Sequence, residues 1–237
     1  LPWDPSGTTA KVWRMGDVIN SQPVLVGQPS SGYNQTYGDQ SYAAYRTAQA
    51  QRRQVSYFGS NDGILHATNL GFFGALAQGQ ASYSKDPLTG TPPVPNYEIG
   101  DEIWGYLPPS VLAHLQLMAN VAYEHSFYVD LSPQVVDIKD GSNWRTVLIV
   151  GLRLGGAPIE LLNGGASNPY TTPEFVSLVL TDPEATPQLI RRLSHDSLGK
   201  STTIPTGLRL AHDMSGSLVR DSRTPSIQSR TGTPTLQ

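Results

Sequence analysis

The 237-residue chain contains no cysteine. That excludes disulfide staples, thiolate nucleophiles, zinc ribbons and iron–sulfur ligation together, although it fixes no compartment. An excess of one charge is missing too: sixteen Lys and Arg stand against nineteen Asp and Glu, with no basic block. Sequence-independent nucleic-acid binding rests on clustered cations facing phosphates, so nucleic acid is not an expected partner. No run approaches the roughly 20 apolar residues of a membrane helix. A basic-then-apolar leader is not seen either. The opening LPWDPSGTTAKVWRMGD has the texture of mid-protein sequence. The chain is therefore expected to be part of something longer.

What is present is turn chemistry and short apolar runs. Gly 23 and Pro 19 punctuate a chain whose hydrophobic content of 38% still allows a real core. Strand-like segments lie at 21–27, 53–59, 63–69, 126–130, 133–138, 144–152, 175–180 and 187–193, by their β-branched and aromatic content. Two hairpin turns stand out, Asn61-Asp62-Gly63 and Lys139 to Asn143 around Gly141. Glycine after Asp supplies the positive φ of a tight turn. One segment departs from the strand pattern. PPSVLAHLQLMANVAYEH (108–125) sets Val111, Leu112, Leu115, Met118 and Ala122 at helical spacing behind two prolines, which predicts one amphipathic helix docked on the sheet.

Two polar stretches are predicted to be loops, 28–50 and 78–97. Loops of this length in a compact domain are usually functional. Tyr33, Tyr37, Tyr42, Tyr45 and Tyr83 within them offer amphipathic contact area at low entropic cost, and are the candidate partner-binding residues. The alternative is that these tyrosines pack the loops down. After Arg209 periodicity fades, and 210–237 is expected to be a weakly structured tail.

Catalytic patterns fail one by one. His66 follows Leu65 in a strand and is expected to be a structural hydrogen-bonding histidine. His114 and His125 flank the predicted helix, and Glu124 beside His125 shares no helix face with it. His195 and His212 are isolated, and H-E-x-x-H is missing, so no zinc is expected. Asp130, Asp137 and Asp140 raise a cation loop, but DIKDGSN (137–143) lacks alternating Asp spacing and a terminal Glu, which favours a plain turn. Ser82 and Lys85 form S-x-x-K without its partner motifs. GLRLGG (151–156) lacks dinucleotide spacing and is expected to be a turn. No catalytic, cofactor or metal residue is assigned.

WRMGDVINSQPVLVG (13–27), YFGSNDGILHA (57–67), GDEIWGYLPPSVLAHL (100–115), YEHSFYVDLSPQVVD (123–137) and WRTVLIVGL (144–152) occur in one order. In that order they resemble the carboxy-terminal β-propeller domain of the PilC/PilY family, the type IV pilus tip-associated adhesins. The resemblance covers about residues 13–183. It implies a mainly β, partial modified β-propeller, a single domain over 1–237 or its first blades. It further implies an exported bacterial protein at the pilus tip, outer membrane or cell surface. Such proteins support pilus biogenesis, twitching motility and adhesion, with minor pilins and host or abiotic surfaces as partners.

Family members bind calcium through an Asp-rich loop, but no D-x-D-x-D string occurs here. Calcium is therefore not carried over, and Met15-Gly16-Asp17 is the nearest approach to an Arg-Gly-Asp tripeptide. The unit GSNDGILHA also resembles the repeat of quinoprotein dehydrogenases, which leaves a PQQ-type propeller as the alternative. That chemistry needs a tryptophan platform and a carboxylate beside Ca²⁺. Trp3, Trp13, Trp104 and Trp144 do not recur at a blade period, so a non-enzymatic role is favoured.

Overall fold

The structure is a computed structural model that describes residues 15–75, 81–87, 90–93, 95–112, 114–118, 121–123, 125–156, 174–194, 211–212 and 218–219. Two antiparallel sheets dominate it. The first holds β1 (Val24–Val26), β2 (Gln54–Gly59), β3 (Leu65–Ala75), β4 (Ala81–Ser84) and β5 (Glu102–Tyr106). β3 is long enough to pair with β5 along its first half and with β4 along its second. The second sheet runs β6-β7-β8-β9 in chain order: β6 (Gln134–Asp140), β7 (Asn143–Gly151), β8 (Glu174–Val179) and β9 (Gln188–Ser194). A minimal pair, β10 (Ala211–His212) with β11 (Leu218–Val219), is what is described of the expected tail, and the rest of 210–237 lies outside the described residues.

Both turns form as their chemistry predicts. Asp140 pairs with Asn143, leaving Gly141 and Ser142 as a two-residue loop with Gly141 at φ +59°. Gly63 closes the β2–β3 hairpin at φ +90°, while the Asp62 carboxylate accepts the Ile64 amide at 3.0 Å. The two glycines differ in surroundings. A Cβ on Gly141 meets nothing within 4 Å, whereas one on Gly63 comes within 2.8 Å of Val111 Cγ1. Gly141→Ala should therefore cost about 1 kcal/mol from backbone strain alone. Gly63→Ala should cost about 2 kcal/mol, because it also overpacks the core. Equal denaturation midpoints for the two variants would contradict this account.

One core joins the two sheets. Val55, Tyr57, Leu65 and Ala67 from the first meet Leu148, Val150, Val176 and Leu178 from the second, with Val111, Tyr128 and Val129 between. In β7 the consecutive residues Val147 to Val150 are all buried. A strand covered on both faces loses the apolar–polar alternation, hence the unbroken VLIV run.

Four expectations need correction. The helix around 108–125 is not continuous: it breaks into single turns, α3 (Pro109–Leu112) and α4 (Leu115–Met118). Its predicted docking face holds only in part. Leu112 is exposed, while Val111 is buried and Met118 packs against the core. Residues 126–130 are no strand. Tyr128, Val129 and Asp130 are buried in succession, because the segment crosses the end of β2 instead of joining its ladder. A side chain at Gly59 would run into the Val129 carbonyl. The predicted loop at 28–50 carries α1 (Tyr33–Thr36) and α2 (Gln40–Ala48), and the one at 78–97 includes β4. In α2 the Asp39 carboxylate caps the helix by accepting the Ser41 and Tyr42 amides, and three alanines favour the turns that follow.

Candidate functional site

His66 lies in β3, just beyond the Asn-Asp-Gly turn, and is buried. Its Nδ1 is 2.7 Å from Glu102 Oε1, and its Nε2 is 3.0 Å from Ser60 Oγ and 3.1 Å from Asp62 Oδ2. Serine, imidazole and carboxylate in that order have the wiring of a nucleophile, base and orienting group. The chemistry is nonetheless blocked in this arrangement. Ser60 donates its hydroxyl proton to Asp62, and Ser60 is itself buried. A carboxylate oxygen faces each ring nitrogen, which favours the doubly protonated ring over one with a lone pair open to a serine proton. The histidine therefore fastens the turn to β5.

This fastening sets a pH signature. Burial disfavours the charged ring, but its bonds to Asp62 and Glu102 and their charges outweigh that, raising the His66 pKa above 6.5. Burial likewise disfavours ionised Asp62, yet hydrogen bonds from His66, Gly16, Ser60 and Ile64 lower its pKa from 3.8 to about 2. A raised histidine stabilises fully below 6.5, and the contribution is lost as pH rises through the folded value. A lowered aspartate stabilises above 3.8, and that contribution is lost as pH falls through about 2. The stabilisation from this cluster should be greatest between those limits. Denaturation midpoints of wild type and His66→Gln should converge as pH rises above that window. A gap that stays constant from below pH 6.5 into the alkaline range would show that the charge on His66 contributes nothing to this cluster.

The second constellation ties the 28–50 insertion to the second sheet. Tyr42, fully buried, donates its hydroxyl to Asp137 Oδ2 at 2.6 Å. Ser31 Oγ donates to the same oxygen at 2.8 Å, and Thr146 Oγ1 donates to Asp137 Oδ1 at 2.7 Å. Arg52 Nη1 in turn donates to Thr146 at 2.9 Å, and the Tyr45 hydroxyl lies 2.8 Å from the same oxygen. Burial and the Asp137 carboxylate push the Tyr42 hydroxyl up to about 12, so it stays protonated and donates. Asp137 is thus the centre of a clamp, accepting from three hydroxyl groups. Asp130 is likewise committed, accepting from Asn20 Nδ2 and Arg153 Nη1 at 3.0 Å each. Asp140 pairs with Arg145 at 3.3 Å.

Above the clamp lies a layered aromatic group. Tyr33 stacks on Trp144 with centroids 5.4 Å apart, and Tyr42 meets both rings edge-on from below. Tyr37 lies against Tyr33 at 5.9 Å and is 61% exposed. Of the five candidate tyrosines, Tyr42 is scaffold, and Tyr45 is partly buried and held at Thr146. Tyr33 is half-buried, while Tyr37 and Tyr83 face outward. Tyr83 is remote from the others, paired across strands with Phe73 at 5.3 Å. The structure therefore brings together Tyr33, Tyr37, Tyr42 and Tyr45, and leaves Tyr83 on a separate arm.

Other candidates are dispersed. His114 is buried, which depresses its pKa, while His125 is exposed beside Asp17 at 2.9 Å. Trp104 donates to the Pro183 carbonyl at 3.2 Å and tilts over Tyr57. Trp3, Trp13, Glu124 and His195 lie outside the described residues. Among the described residues, no group of three His, Asp or Glu could hold a metal ion. No described helix is long and apolar enough to cross a membrane. Sequence reasoning missed Arg53, a buried cation immediately before β2 whose Nε donates to Glu184 at 2.7 Å. It also missed the part played by Asp137, for which a carboxylate inside the β-branched run VVDI was the available signal.

The family model of the PilY1 beta-propeller domain matches residues 15–175, which take in the first sheet, the clamp and most of β6 to β8. The chain belongs to the PilY1 β-propeller family. Its mainly β, propeller-like architecture follows, with the two sheets as blades. A type IV pilus biogenesis factor PilY1 homolog of Xylella fastidiosa is 32% identical over 153 residues, 63% of this chain and 10% of that protein. The type IV pilus biogenesis factor PilY1 of Pseudomonas aeruginosa is 32% identical over 158 residues, 63% of this chain and 11% of its own length. This PilY1-family chain thus spans about a tenth of those relatives. The crystal structure of the P. aeruginosa PilY1 C-terminal domain aligns at TM-score 0.48 and 26% identity, over 78% of this chain and 29% of that one.

Proposed function

We propose that this chain is a propeller portion of a type IV pilus biogenesis factor that works by binding and not by catalysis. The family match over residues 15–175 carries the reading. Its place would be the pilus tip, the outer membrane or the cell surface. Its partners would be pilus components, minor pilins among them, and through them or directly a host or abiotic surface. Adhesion and twitching motility are the activities it would support. The scaffold favours such a role, because surface insertions on stiff sheets can vary without loss of the core. The outward-facing Tyr37 and Tyr83 are the proposed contact residues, and Tyr33 supports the first of them. The reading assigns no quinone and no calcium to these residues. An absorbance scan with added PQQ and Ca²⁺ should show no bound quinone.

The test follows from the clamp. Deleting 28–50 would remove Tyr42 and unfold its surroundings, so point substitutions are needed. Tyr37→Ala and Tyr83→Ala, in the full-length protein, should leave melting unchanged and reduce pilus-dependent attachment or piliation. Wild-type piliation, motility and attachment in the double variant would place the contact surface elsewhere.

A further inference from the structure

We infer that the aromatic step formed by Tyr37, Tyr33 and Trp144 is a binding platform for a neutral saccharide. The inference rests on the surface-binding reading above and names the chemistry of its ligand. Three features of the step carry it.

The step is rigid before any ligand arrives. Trp144 Nε1 donates to Ser41 Oγ at 2.9 Å, Tyr42 is locked beneath on Asp137, and the Tyr33 and Trp144 rings are only 24° from parallel. A ring held in place loses little freedom on binding, which favours weak ligands.

The step is also isolated. Among the described residues of 28–50 and 134–151, Tyr37 is the one strongly exposed large apolar side chain. A bound peptide strand or helix needs several spaced apolar anchors. A single aromatic face suits a pyranose, whose C–H bonds lie on one side of the ring and can rest on the π-cloud.

The rim is polar and electrically balanced. Asp39 pairs with Lys139 at 3.0 Å, and Asp140 with Arg145. Lys139 Nζ also lies 5.5 Å from the Trp144 ring centroid, so its charge is spent twice. These two pairs match each positive side chain with a carboxylate, which offers little to a highly charged partner. Hydroxyl groups would find amides instead, because Gln40 and Asn143, next in sequence to Ser41 and Trp144, are both exposed.

The experiment uses the full-length protein and a panel of immobilised neutral oligosaccharides, with sialylated and sulfated counterparts and a proline-rich peptide as controls. Saturable binding to at least one neutral oligosaccharide is expected, accompanied by a change in tryptophan emission. Tyr37→Ala should weaken it roughly tenfold, the loss of one good aromatic contact. Tyr37→Phe should bind within about twofold of wild type, since the ring face is kept. Unchanged melting of both variants confirms that the fold is intact. Absence of saturable neutral-saccharide binding, or tighter binding of the charged glycans or the peptide through Tyr37, overturns the inference. Full binding by Tyr37→Ala overturns it too. If Tyr37→Ala loses attachment while no saccharide binds, the saccharide falls and the surface-binding reading stands. If Tyr37→Ala loses saccharide binding while attachment is untouched even with Tyr83→Ala added, the platform stands and that reading falls.

Discussion

Arg53→Ala should destabilise the protein by about 3 kcal/mol, the low end for breaking a buried ion pair, because its partner keeps some contact with water. The Arg53 side chain is wholly buried, and the Glu184 side chain is 21% exposed. Its guanidinium lies 4.7 Å over the Phe72 ring and 5.7 Å from that of Tyr97, and Nη1 donates to Asn69 Oδ1 at 2.9 Å. Arg53 immediately precedes β2 and Glu184 follows β8, so the contact binds one blade to the other. Truncation would leave the Glu184 carboxylate facing aromatic walls and open a cavity as long as the lost side chain. The charge is the costlier part. Arg53→Ala with Glu184→Leu should therefore recover at least half of the loss, since a desolvated pair often contributes little against apolar replacements. Urea denaturation of the four proteins in this cycle gives the coupling directly. Additive losses from the two single substitutions would show that the pair is not what holds the blades.

The strands were legible where local chemistry and tertiary structure agree. VLIV in β7 is apolar because both faces are covered, and the two Asp-Gly turns carry their own geometry wherever they are placed. SFYVD (126–130) shows the opposite case. Its β-branched and aromatic residues suit a strand, yet burial of three successive side chains requires a segment that crosses a sheet end. Nothing within those five letters distinguishes the two. Helix α2 was hidden by its polar composition, because its stability comes from the Asp39 cap and from one buried tyrosine. The family motifs located the blades, but the candidate tyrosines could not be sorted from sequence. Tyr42 and Tyr37 are five positions apart and chemically identical. What separates them is Asp137, 95 residues from Tyr42 along the chain.

That carboxylate supplies the second large effect. Asp137→Ala should cost about 3 kcal/mol, since it leaves buried hydroxyl groups without their acceptor. Tyr42 suffers most, because its hydroxyl has no other carboxylate to face and its ring is enclosed by Tyr33, Tyr45 and Trp144. Thr146 retains Arg52 and Tyr45 as neighbours, so the second sheet should hold while the insertion loosens. The damage should therefore be local before it is global. Amide exchange within 33–48 should accelerate in Asp137→Ala at denaturant concentrations where β6 and β7 stay protected. Asp137→Asn should retain one acceptor oxygen and lose less. Tyr42→Phe in the Asp137→Ala background should add little, because the bond it removes is already broken. If exchange in the insertion and in β7 accelerates together, the clamp is part of the common core. The aromatic step would then depend on the whole fold, and not on this one carboxylate.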